Sequence, residues 1–116
     1  MQRVSKYLKI ADFFKDLESK YNVELTVQKA LHGYRISKIV IPKEKRGEGL
    51  GSKVMKTITN WADTNKQLLM LTPSKDFGAT SVSRLKDFYK QFGFVENKGR
   101  NKNFQFMDTM YRDFKK

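Results

Sequence analysis

Residues 45 to 51 read Lys-Arg-Gly-Glu-Gly-Leu-Gly, with three glycines at alternate positions beside two cations. An apolar run, RISKIVIP (35–42), precedes this turn, and SKVMKTITNWADTNK (52–66) follows it with helical periodicity. Strand, glycine turn and helix is the order in which a backbone holds phosphate. Glycine permits close approach and positive φ, and the following helix presents unpaired N–H groups and the positive end of its dipole. Two common phosphate loops do not fit. A Walker loop needs a second glycine where Ser52 stands, and a dinucleotide fingerprint needs Gly-x-Gly-x-x-Gly, whereas Gly47, Gly49 and Gly51 run Gly-x-Gly-x-Gly. The turn is thus either an anion loop of another kind or a tight connector without a ligand.

Composition narrows the remaining chemistry. The 116 residues suit one domain, 1–116, with a single layered core. Cysteine is absent, which removes disulfides, thiolate metal sites and a cysteine acyl-enzyme, and agrees with a reducing, cytoplasmic setting. The single histidine, His32, cannot build a multi-histidine metal centre, so no metal is expected. No apolar run is long enough to span a bilayer, and no secretory leader pattern opens the chain, so no membrane partner is expected. Lys and Arg number 24 against 12 acids, a formal charge of +12. That excess suits a phosphate-bearing cofactor, an acidic protein or nucleic acid, or else it is a basic surface without a dedicated partner.

Several elements must position the turn. Ile10, Phe13, Phe14, Leu17 and Tyr21 fall at helical spacing over 10–21, and VELTVQ (23–28) alternates as a half-buried strand. LHG reads as a hairpin turn, and YRISKIVI (34–41) as a more buried strand closed by Pro42. Val54, Met55, Ile58, Trp61 and Ala62 mark one face of a helix over 52–65. QLLMLTP (67–73) is a short apolar strand. A third helix over 81–91 carries Leu85, Phe88, Tyr89 and Phe92 on one face. GFVEN and FQFMDTMYR are expected as two final strands joined by the basic loop KGRNK. The order α-β-β-α-β-α-β-β is that of a mixed α/β (α+β) domain.

Two separated segments resemble the GNAT family of N-acetyltransferases. Arg46, Gly49 and Gly51 match the family's Arg/Gln-x-x-Gly-x-Gly/Ala pyrophosphate loop, inside IVIPKEKRGEGLGSKVM. RLKDFYKQFGFVEN is similar to its later helix, Phe-Tyr, Gly-Phe and strand, with the apolar strand LLMLTP between the two. The likeness runs from 34 to about 100, and the ending is also similar to small phage-encoded proteins of this kind. The resemblance implies a mostly antiparallel central sheet flanked by helices, with a shortened N-terminal part. It implies acetyl-CoA as co-substrate and a primary amine as acceptor. The short N-terminal part would leave the acceptor cleft open, which suits a protein acceptor. Pyrophosphate contacts would come from Arg46, Gly47, Glu48, Gly49, Leu50, Gly51 and Ser52. The edge of Ile39, Val40 and Ile41 would pair with the pantetheine arm and offer an oxyanion N–H, and Ser83 would contact the cofactor. Tyr89 matches the tyrosine that donates a proton to the departing sulfur, or else is only core. The family often has an asparagine about seven residues before that tyrosine; here Val82 stands there. No acid lies on 34–41, which leaves Glu24, His32 or bulk water to deprotonate the amine. A catalytically weak binding module for nucleic acid or an acidic protein, and a small-molecule amine acetyltransferase, are the alternatives.

Overall fold

The computed structural model of the chain describes residues 13–41, 49–73 and 81–115. Helix α1 covers 13–21 and stops where Asn22 takes a left-handed φ of 53°, while the Val23 amide bonds back to the Glu18 carbonyl at 3.1 Å. Strands β1 (Glu24–Ala30) and β2 (Gly33–Val40) form an antiparallel hairpin. Helix α2 (Leu50–Thr64) leads to β3 (Leu69–Leu71), and α3 (Val82–Lys90) to β4 (Val95–Glu96). The chain closes with β5 (Met110–Arg112). The sheet order is β1-β2-β3-β5-β4; β2 and β3 run parallel and the other neighbours antiparallel. The fold is therefore the expected α+β domain with a mostly antiparallel sheet.

One sheet face carries the core. Leu25, Tyr34, Ile36, Ile39, Leu69, Leu71 and Met110 meet Phe14 and Leu17 of α1, Val54, Met55 and Ile58 of α2, and Tyr89 of α3. Trp61 packs edge-on to both Phe14 and Tyr34, with ring centroids 4.9 and 5.1 Å apart, so α1 and α2 share an aromatic joint over β2. The hairpin is seated by backbone contact. The Tyr34 amide donates to the Leu68 carbonyl at 2.8 Å, and a Cβ on Gly33 would lie 2.1 Å from that oxygen. Only glycine fits there, a constraint of close approach and not of turn geometry.

The C-terminal third differs from its alternating pattern. Residues 104–109 do not join β5, and 99–101 form a 3-10 turn. The cause is Asn97, 6% exposed. Its side-chain amide donates to the Asp108 carbonyl at 2.8 Å and to the Phe106 carbonyl at 3.4 Å, and its oxygen accepts the Asn103 amide at 2.6 Å. Backbone groups taken by a side chain are lost to a strand ladder. Tyr111 adds a bond from its hydroxyl to the Asn101 carbonyl at 2.6 Å.

Arg112 ties sheet to helices. It is 5% exposed, donates from Nε to the Phe92 carbonyl at 2.6 Å, and makes a bidentate pair with Asp63 of α2 at 2.8 and 2.9 Å. The Arg112 guanidinium holds the Asp63 carboxyl below its ordinary value of 3.8. Below that value the unfolded chain binds a proton that the folded chain refuses, so this contribution is full above it and fades as acid protonates Asp63. Asp63→Asn should cost about 3 kcal/mol at neutral pH, because it strands a buried cation. Urea unfolding of both proteins at pH 7 and pH 3 checks this: the gap should narrow in acid, and an equal gap at both would refute the linkage.

Candidate functional site

The parallel pair β2–β3 is short. Tyr34, Arg35 and Ile36 pair with Leu69, Met70 and Leu71, and there the pairing ends while β2 runs on to Val40. A bulge sits at the same place on the other edge of β2. Thr26 pairs with Lys38 and Val27 with Ile36, so Ser37 has no register partner on β1, and its hydroxyl instead donates to the Gln28 side chain at 3.3 Å. The extra residue turns Ser37 and Lys38 both outward and returns Ile39 to the core. β2 thus outruns its parallel neighbour, which ends at Leu71, just where its own register changes. A cavity of about 380 Å³ opens there, lined by Arg35, Ile36, Ser37, Thr72, Met107 and Asp108.

Of the expected pyrophosphate loop, Arg46, Gly47 and Glu48 lie outside the described residues. Gly49 is the N-cap of α2 with φ 75°, a left-handed conformation that favours glycine, and open space surrounds the position its Cβ would take. The helix start has no side-chain cap and no acid in its first turn. Lys53 donates the first helical bond, to the Gly49 carbonyl at 3.1 Å, which leaves the amides of Leu50, Gly51 and Ser52 at the helix mouth. Such a terminus favours an anion electrostatically. A Cβ on Gly51 would stand 3.5 Å from the Phe88 ring, so α3 packs against this first turn.

That contact brings Tyr89, the next residue, to the core side of the same corner. Tyr89 is 3% exposed, with its ring against Phe88 and Phe94. No group among the described residues hydrogen-bonds its hydroxyl, and burial raises its pKa to about 12. It therefore stays protonated at neutral pH, as a hydrogen-bond donor must. Ser83 is exposed on α3, whereas Ser81 is the residue that caps this helix, accepting the Arg84 amide at 3.3 Å. Ile39 is buried in the core, and Val40 and Ile41 are half-buried at the end of β2.

The two proposed bases separate. His32 is exposed in the hairpin turn at the start of β2, opposite to the end where Val40 leads toward α2. Eight strand residues, roughly 25 Å, lie between those ends. Glu24 pairs across from Val40, at the correct end, but faces solvent beside Lys38 at 3.6 Å. The carboxylate that does line the cavity is Asp108, which the sequence did not single out. Arg35 holds it through Nε and Nη2 at 2.9 Å, and Asp108 in turn keeps the guanidinium charged. The partners are 73 positions apart, and nothing in either segment announces the other.

No family model matches the sequence, and no curated protein matches it either. No helix among the described residues is long and apolar enough to cross a membrane.

Loop 97–109 forms one wall of the cavity through Met107 and Asp108, so the bonds of Asn97 should set its rigidity. Asn97→Ala should speed amide exchange at residues 103 to 108 and cost about 2 kcal/mol, since buried carbonyls lose their donors. Hydrogen-exchange mass spectrometry reads the effect. Unchanged protection over that segment would mean that the loop is held by other contacts.

Proposed function

We propose that this chain is a cytoplasmic N-acetyltransferase that moves an acetyl group from acetyl-CoA to a primary amine on a protein. The observation that supports it most is that β2 runs on past the end of β3 after Ile36, with the uncapped, glycine-led start of α2 following β2 in the chain. A strand edge that extends past its neighbour has backbone groups for an extended amide-bearing arm, and a bare helix start has them for a pyrophosphate. The GNAT resemblance of the same residues points the same way. Acetyl-CoA supplies the activated thioester.

The chain's residues divide the work. The amides of Leu50, Gly51 and Ser52, with Arg46, Gly47, Glu48 and Gly49 before them, hold the diphosphate. The edge over Ile39 and Val40 aligns the arm, and one of its N–H groups stabilises the oxyanion as the amine adds to the acyl carbon. Ser83, exposed near the start of α3, meets the cofactor from that side. Tyr89 faces the leaving sulfur. With a pKa of about 12 it is a weak acid, so it stabilises the departing thiolate chiefly by donating a hydrogen bond, with proton transfer completing as charge develops. The carboxylate in the cavity wall is engaged by Arg35, so the acceptor amine gives its proton to water.

Two substitutions test this. Gly49→Glu fits sterically, because its side chain points into open space, and it should cost roughly 1–2 kcal/mol for the left-handed backbone. It should nevertheless abolish acetyl-CoA binding measured by calorimetry, since a carboxylate then occupies the anion's place. A folded variant that binds as the parent does would remove the loop from the site. Tyr89→Phe keeps the packed ring. It should lower turnover by about 10²-fold with cofactor affinity unchanged, whereas an unaltered rate would make Tyr89 a core residue only.

A further inference from the structure

The outer side of loop 97–109 joins two features that proteins seldom leave together in water. Phe104 is 87% exposed, and Lys102 stands over its ring at 5.6 Å from the centroid. Lys98, Arg100 and Lys102 are all exposed along the same short stretch. The stretch is anchored: Asn97 holds the Asn103 amide, Asn103 accepts the Gln105 amide at 2.9 Å, and Tyr111 holds the Asn101 carbonyl. An exposed aromatic on an anchored loop has already lost much of the freedom that a ligand would otherwise have to remove.

The neighbouring charge adds to this surface. Glu96 lies within 3.1, 3.2 and 3.6 Å of Lys86, Lys90 and Lys98. Hydrogen bonds from Lys86 and then Lys90 hold its carboxyl down to about 2. One carboxylate is thus shared by three lysines, while Arg100 and Lys102 have no carboxylate partner among the described residues. A cavity of about 280 Å³ lined by Lys90, Phe94, Val95, Glu96, Lys98 and Asn101 continues the surface toward α3.

We propose that this surface binds single-stranded nucleic acid, with Phe104 stacking on a base and Lys98, Arg100 and Lys102 neutralising phosphates. Cations alone would suit any polyanion. The bare ring decides between them, because a base offers it a flat π-face and an acidic protein surface offers carboxylates. A duplex hides its base faces, so an unpaired strand is the form that fits. The surface stands apart from the acetyl-transfer reading, which can fail without affecting it.

The test is fluorescence anisotropy without acetyl-CoA, using a labelled strand of about 12 thymidines, the corresponding duplex and poly-glutamate as probes. The single strand should bind best, with affinity falling against salt at a logarithmic slope of about −2 for three phosphate contacts. Phe104→Ala should weaken binding about tenfold and leave that slope unchanged. Combined Lys98→Ala, Arg100→Ala and Lys102→Ala should flatten the slope. These side chains are at the surface, so thermal unfolding should be the same for every variant. Absence of binding to the single strand would overturn the proposal. So would a silent Phe104→Ala, or equal binding of poly-glutamate.

Discussion

A buried guanidinium joins the two layers of this domain. Arg112 leaves the sheet at β5, reaches the carboxylate of α2 and caps the backbone where α3 ends. Helices packed on a sheet by apolar contact alone can slide, because dispersion and the hydrophobic effect have little direction. A bidentate ion pair has direction, and its desolvation makes every displaced geometry costly. The two helices it fixes are those that meet at Gly51 and Phe88. The corner where Phe88 meets the first turn of α2 is therefore set from the far end of α2 and the near end of α3.

The opposite sheet face is organised by polar groups. Arg35 and Asp108 clamp the long β4–β5 connection against β2, and Asn97 takes up the backbone of that connection. The cavity where β3 ends beside β2 has one wall of strand and one wall of loop. Strand walls carry fixed backbone donors, and loop walls carry side chains that can vary without disturbing the sheet. In a transferase of the proposed kind, the first would serve the invariant donor and the second the acceptor.

Much of the architecture was legible in sequence, and for definite reasons. Val54, Met55, Ile58 and Ala62 keep a helical period through α2, and all four are buried. Leu69, Met70 and Leu71 read as a short apolar strand, and in the structure all three are buried at the centre of the sheet. What stayed hidden depends on distance along the chain. Asp63 and Arg112 are 49 positions apart, and each alone reads as a solvated charge. The alternation through 104–109 predicted a strand, but one asparagine outside the segment had taken its backbone groups. At the candidate site, Gly49 behaves as its place after a strand and before a helix suggested, while Asp108 had no local pattern to mark it.

The bulge at Ser37 also bears on insertion and deletion. Ile36 and Ile39 are three apart on β2, yet they face Val27 and Leu25, which are two apart on β1. Three steps against two is a mismatch of parity, and β2 absorbs it in a single residue. The inward set therefore belongs to two half-strands, each counted from its own end. A chain shortened by one residue at this point would recover strict alternation with the same isoleucines inside. A chain shortened by one anywhere else along the strand would turn one half inside out.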